Sequence, residues 1–106
     1  MNARLRIEIS PERVAEFCHR WKIAELAFFG SVLRQDFDEA SDIDVLVTFA
    51  DDADWSLLEQ VAMQEEFSRL LGRKVDLVNR RAIEQSANWL RRRSILESAE
   101  PYYVAG

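Results

Sequence analysis

Apolar positions recur along this chain at two spacings, one of three to four residues and one of two, and the switches between them mark out the elements. Ser10-Pro11-Glu12-Arg13 reads as a helix start, with Ser10 as N-cap and Pro11 at the first helical position. Val14, Phe17, Cys18 and Trp21 then form one helical stripe. Ile23 to Phe29 is short, apolar and aromatic and stops at Gly30-Ser31, which predicts a buried strand running into a tight turn. Ser31 to Ala40 is a polar loop or short helical turn. Asp42 to Phe49 alternates and is rich in Val and Ile, predicting a second strand, with Asp51, Asp52 and Asp54 in the solvated turn behind it. A helix is predicted from about Trp55 to Leu71, with Leu57, Leu58, Val61, Phe67, Leu70 and Leu71 on a broad apolar face and Gly72 where a C-terminal cap belongs. Lys74 to Val78 has strand composition, Arg80 to Ser98 reads as helix in one or two pieces, and Pro101 ends it. Tyr102 to Val104 and Leu5 to Ile9 add short extended pieces. The order predicts an α/β (α+β) domain, a small mixed β-sheet covered by helices.

Composition narrows the class. With 106 residues and 48% hydrophobic positions the chain has enough for one core, so a single domain over residues 1–106 is expected. A charged fraction of 31% with 3 Gly and 2 Pro excludes collagen-like, low-complexity and disordered chains. Fourteen basic residues against 19 acidic ones give −5, which argues against gripping a nucleic-acid backbone, so no direct nucleic-acid binding is expected. Twelve of the 14 basic residues are Arg, suited to forked contact with phosphate or carboxylate. With no run of about 18 apolar residues and no leader pattern, no membrane association is expected and the cytoplasm is the default location. The single cysteine cannot form an intrachain disulfide, and Cys18 with His19 supplies too few ligands for a zinc site. Helical neighbours point about 100° apart, so Cys18 is assigned to the core and His19 to the surface rather than to a nucleophile pair.

The carboxylates change the picture. Asp42 and Asp44 lie two apart in a strand, which puts both on one face while Ile43, Val45 and Val47 take the other. Asp76 interrupts the apolar run of the third strand, and if the strands are neighbours its carboxylate joins the pair. One acid at a strand end facing water needs no explanation, but three converging anions repel and lose hydration, and such a cluster persists when a cation neutralises it. Few hard oxygen ligands favour Mg²⁺, which completes its octahedron with waters and substrate phosphates. Gly30-Ser31, with Gly30 12 residues before Asp42, supplies a phosphate partner: glycine lets backbone N–H groups approach an anion and the hydroxyl adds a donor.

Taken together, Gly30-Ser31, ten residues, Asp42-Ile43-Asp44 and then Asp76 in Lys-Val-Asp-Leu-Val resemble the minimal nucleotidyltransferases of the DNA polymerase beta superfamily. The likeness runs from about Phe28 to Val104. It implies a polymerase-beta-like nucleotidyltransferase fold in which Asp42, Asp44 and Asp76 are the catalytic and metal-binding residues for two Mg²⁺ ions, ATP is the donor, and Gly30, Ser31 and Arg34 bind the nucleotide. In the intervening loop the residue after Arg34, Asp38 and Glu39-Ala40 depart from the family's pattern, and the acidic group Asp36, Asp38 and Glu39 implies weaker nucleotide binding or an altered base preference. Minimal members are commonly antitoxins paired with a helical HEPN toxin, so the resemblance implies AMP transfer from ATP to a toxin tyrosine. Two other readings compete: transfer to a small molecule or RNA end, and a non-catalytic antitoxin that neutralises by binding. Trp55, Trp89, Tyr102 and Tyr103 are candidates for a partner surface or for packing, and Arg91, Arg92 and Arg93 for a solvated face or an acceptor or nucleotide contact.

Overall fold

The computed structural model describes residues 9–33 and 41–105. The elements are α1 (Pro11–Arg20), β1 (Ile23–Phe29), a 3-10 turn (Gly30–Leu33), β2 (Ile43–Phe49), α2 (Leu57–Leu71), β3 (Val75–Asn79), α3 (Arg80–Glu84), α4 (Trp89–Ser98) and β4 (Glu100–Val104). Ser10 caps α1 as predicted, its hydroxyl accepting from the Arg13 N–H at 3.3 Å, and Pro11 sits in the first turn where its missing N–H costs no helical bond. Val14, Phe17 and Cys18 are buried and His19 is exposed.

Several element boundaries depart from the sequence reading. α2 begins at Leu57 rather than Trp55, because Ser56 and Glu59 form a capping box: the Ser56 hydroxyl accepts from the Glu59 N–H at 3.1 Å, and the Glu59 carboxylate accepts from the Ser56 N–H at 2.9 Å. This start turns Met63 and Phe67 inward, where Phe67 stacks on Phe17 with centroids 4.6 Å apart. Leu57, Leu58 and Val61, predicted on the buried face, are instead 81%, 82% and 51% exposed. The third strand runs from Val75 to Asn79, one residue later than predicted at each end. The stretch from Arg80 to Ser98, expected as helix in one or two pieces, is two helices, because the Asn79 and Asn88 side chains each accept a new N-terminal N–H, from Arg81 at 3.0 Å and Arg91 at 3.1 Å. The last strand takes in Glu100 and Pro101, the proline tolerated because β4 is an edge strand. Of the extended piece predicted from Leu5 to Ile9, residues 5–8 lie outside the described residues, as do residues 34–40 of the polar loop.

The sheet is mixed, in the order β3-β2-β1-β4, with β2 parallel to β3 and the other pairs antiparallel. Parallel neighbours need a crossover, and α2 supplies it. α2 also closes the β3 edge: the Val75 N–H donates to Ser68 Oγ at 3.0 Å and the Leu77 N–H to Gln64 Oε1 at 2.8 Å. One sheet face carries Leu26, Phe28, Ile43, Val45, Val47 and Val75 into the main core with α1 and α2. The other carries Ala27, Phe29 and Leu46 into a smaller cluster with Ile83 of α3 and Ile95 of α4. No helix among the described residues is long and apolar enough to cross a membrane.

Candidate functional site

The strand register decides where the acids meet. Asp44 is the second residue of β2 and Asp76 the second of β3, and the parallel ladder sets them side by side, two steps before Leu46 and Val78. Leu46 belongs to the cluster under α3 and α4, so period-two geometry brings Asp44 and Asp76 out on that same face. Asp44 is half-buried and Asp76 exposed. Asp42 lies one residue before β2 and two before Asp44, with its side chain exposed and Lys74 Nζ 3.9 Å from its Oδ2. The approaches to both strands are tied together, since the Ile43 N–H donates to the Lys74 carbonyl at 2.9 Å and Arg73 Nη2 donates to the Ser41 carbonyl at 3.1 Å.

A hard divalent cation suits carboxylate oxygens, and two of the three sit on adjacent strands at one register position. As the side chains stand, no group of three or more His, Cys, Asp or Glu residues among those described is close enough together to hold an ion. Like charges repel, and the Lys74 ammonium offers Asp42 a nearby counter-charge.

The chain turns beside these carboxylates. Phe29, the last residue of β1, pairs with Asp44, and Gly30 follows with φ +75°. A Cβ at Gly30 would collide with Asp44 Oδ2 and stand 3.4 Å from its Cγ. Glycine is therefore required twice, for the left-handed backbone and for the close approach to the carboxylate. Ser31 follows it within the 3-10 turn, and Arg34 lies outside the described residues.

A cleft of about 390 Å³ opens over this corner, with Phe29, Gly30, Leu33, Asp44 and Asp76 on the sheet side and Arg91, Ser94, Ile95 and Ser98 of α4 on the other. The sequence reading did not single out the two serines; their signal was the three- and four-residue spacing of Arg91, Ser94 and Ser98 along one helix face. The structure also separates the three consecutive arginines. Arg92 Nη1 donates to the Ser86 carbonyl at 3.0 Å and Arg93 pairs with Glu97 at 2.8 Å, whereas Arg91 lines the cleft. A larger cleft, about 450 Å³, lies toward the opposite ends of β2 and β3, beside Thr48 and Asn79. Its Arg80 already pairs with Glu25 at 3.7 Å and Glu84 at 3.3 Å, whereas Asp44 and Asp76 line the smaller one, which is therefore the candidate site.

The structure sorts the remaining candidates. Burial pushes the Cys18 thiol up to about 12, so it is no nucleophile. Trp55 packs edge-on against Trp21 with centroids 5.0 Å apart and donates its Nε1–H to the Trp21 carbonyl at 2.8 Å. Tyr102 lies against Phe28, and Tyr103 is half-buried against the main core. Trp89 is 56% exposed.

Comparison with known proteins adds a family to this geometry. The nucleotidyltransferase domain family matches residues 12–102. The chain is 36% identical over 69 residues to the protein adenylyltransferase MntA of Thermococcus cleftensis, an alignment covering 65% of this chain and 68% of that protein. The chain spans 63% and 64% of two Methanocaldococcus jannaschii relatives assigned as protein adenylyltransferases, somewhat under two thirds of their length. A solved structure assigned as a minimal nucleotidyltransferase superposes with TM-score 0.66 at 34% identity, covering 87% of this chain and 88% of the other. The same fold, at 18% identity and TM-score 0.61, occurs in a Shewanella oneidensis complex of a tri-AMPylated HEPN toxin with an MNT antitoxin, covering 90% of this chain and 70% of that one.

Proposed function

The chain belongs to the nucleotidyltransferase domain family, and from that membership we propose that it transfers AMP from ATP, with Mg²⁺, to a hydroxyl of a helical HEPN-type toxin and so acts as the toxin's antitoxin. The pairing of Asp44 with Asp76 beside Gly30 carries this reading. Asp42, Asp44 and Asp76 would hold the metal. Gly30 and Ser31 are assigned to the β- and γ-phosphates, and Arg34, outside the described residues, is assigned to the triphosphate. The acceptor oxygen, a tyrosine hydroxyl in this reading, attacks the α-phosphorus; the bond from that phosphorus to the oxygen bridging toward the β-phosphorus breaks, and pyrophosphate leaves. Asp76 takes the hydroxyl proton, so no histidine base is needed. Magnesium, when bound, lowers the acceptor's pKa and neutralises charge on the leaving group.

Relatives support the assignment by name: the Thermococcus MntA is a protein adenylyltransferase, and the Shewanella complex joins this fold to a HEPN toxin carrying AMP. Residues 1–106 are read as one minimal domain working in the cytoplasm. In this reading the acceptor docks against the cleft mouth as part of a partner protein. The test is intact-mass analysis of the HEPN-type partner after mixing with this chain, ATP and Mg²⁺. The expected result is a gain of one or more adenylyl units on the partner. No adduct, with the unmodified complex still silencing the partner, replaces catalysis by binding; labelling of a small alcohol or RNA end in its place moves the function to that substrate.

A further inference from the structure

We infer that Arg91 of α4 binds a phosphate of the incoming nucleotide, closing the carboxylate cleft from the helix side; this rests on the nucleotidyltransferase reading above. Among the described residues that line the cleft, Arg91 is the cation, facing Asp44 and Asp76 across the opening. Its two neighbours are committed elsewhere, Arg92 to the Ser86 carbonyl and Arg93 to Glu97, while the Arg91 side chain has no hydrogen-bond or ion-pair partner among the described residues. Its backbone is fixed, because the Arg91 N–H donates to the Asn88 cap at 3.1 Å. The guanidinium is therefore carried on an anchored helical turn with its donors available.

Charge decides what it contacts. A triphosphate entering beside Gly30 brings several anionic oxygens into a cleft that already holds two carboxylates, and a guanidinium offers planar, forked donors matched to phosphate. An acceptor hydroxyl is neutral until it attacks and has no comparable need for a cation. Ser94, one turn along the same face, adds a hydroxyl donor to the same wall.

The experiment is calorimetric titration of Mg²⁺·ATP into the chain alone, with thermal melts to confirm folding. Arg91→Gln is expected to weaken binding about tenfold to a hundredfold, the loss of one charge-assisted contact, and Arg91→Lys to recover part of it. Arg93→Gln, which removes the same charge from the neighbouring ion pair, is expected to leave affinity unchanged. Wild-type affinity in Arg91→Gln overturns the inference, as does equal weakening by Arg93→Gln, which would mean bulk electrostatics. Unchanged nucleotide affinity with lost transfer to the partner also overturns it, moving Arg91 to the acceptor side. Failure of the wild-type chain to bind Mg²⁺·ATP removes the functional reading itself.

Discussion

The two faces of one four-stranded sheet do opposite work. Toward α1 and α2 the strands present Ile43, Val45 and Val47, all fully buried, and the helices answer with Phe17 and Phe67. Toward α3 and α4 the same β2 strand presents Asp44 and then Leu46, and the cover is thinner: a five-residue helix contributing Ile83 and a ten-residue helix contributing Ile95. Apolar burial on the first face supplies the stability that lets like charges stand side by side on the second, where opposed carboxylates in a sheet are unfavourable.

The contrast is sharpest at Phe67. Phe67→Ala empties a fully buried, stacked position and should cost about 3 to 5 kcal/mol in denaturant unfolding, abolishing function only by unfolding the chain. Gly30→Ala should cost less, about 1 to 3 kcal/mol for a side chain at positive φ, yet remove adenylyl transfer by pushing Asp44 aside; a folded Gly30→Ala variant with normal transfer would detach the turn from the site. The smallest effect at neutral pH concerns Cys18. The folded chain holds this thiol protonated to about 12, against 9.0 for an ordinary thiol, so its contribution is intact below pH 9 and is lost as pH rises toward 12. Denaturant midpoints measured across that range should fall more steeply for the wild type than for Cys18→Ala.

The carboxylate-bearing face was more legible than the packing. Strand periodicity alone predicts a shared face for Asp42 and Asp44, although Asp42 lies one residue before β2 and beside Lys74, and Gly30 is marked by the end of an apolar run. What the sequence leaves conditional is strand order: Asp76 joins Asp44 only because β3 pairs in parallel with β2, a tertiary fact that α2's crossover creates. The exposed Leu57, Leu58 and Val61 misled the reading of α2, because composition favours burying every leucine while the Ser56 capping box and the Phe17–Phe67 stack fix the helix phase. Ser94 and Ser98 were invisible for the opposite reason: serines at helical spacing read as a solvated face until a sheet is placed beneath them.

Asp44→Asn separates the two faces in a single variant. Unfolding free energy and adenylyl transfer to the partner, measured on the same preparation, should show stability within about 1 kcal/mol of the wild type, since relief of repulsion against Asp76 offsets lost contacts, together with loss of transfer. Retained transfer would contradict the assignment of the carboxylates, and transfer lost only in step with several kcal/mol of destabilisation would show that Asp44 serves the fold rather than the chemistry.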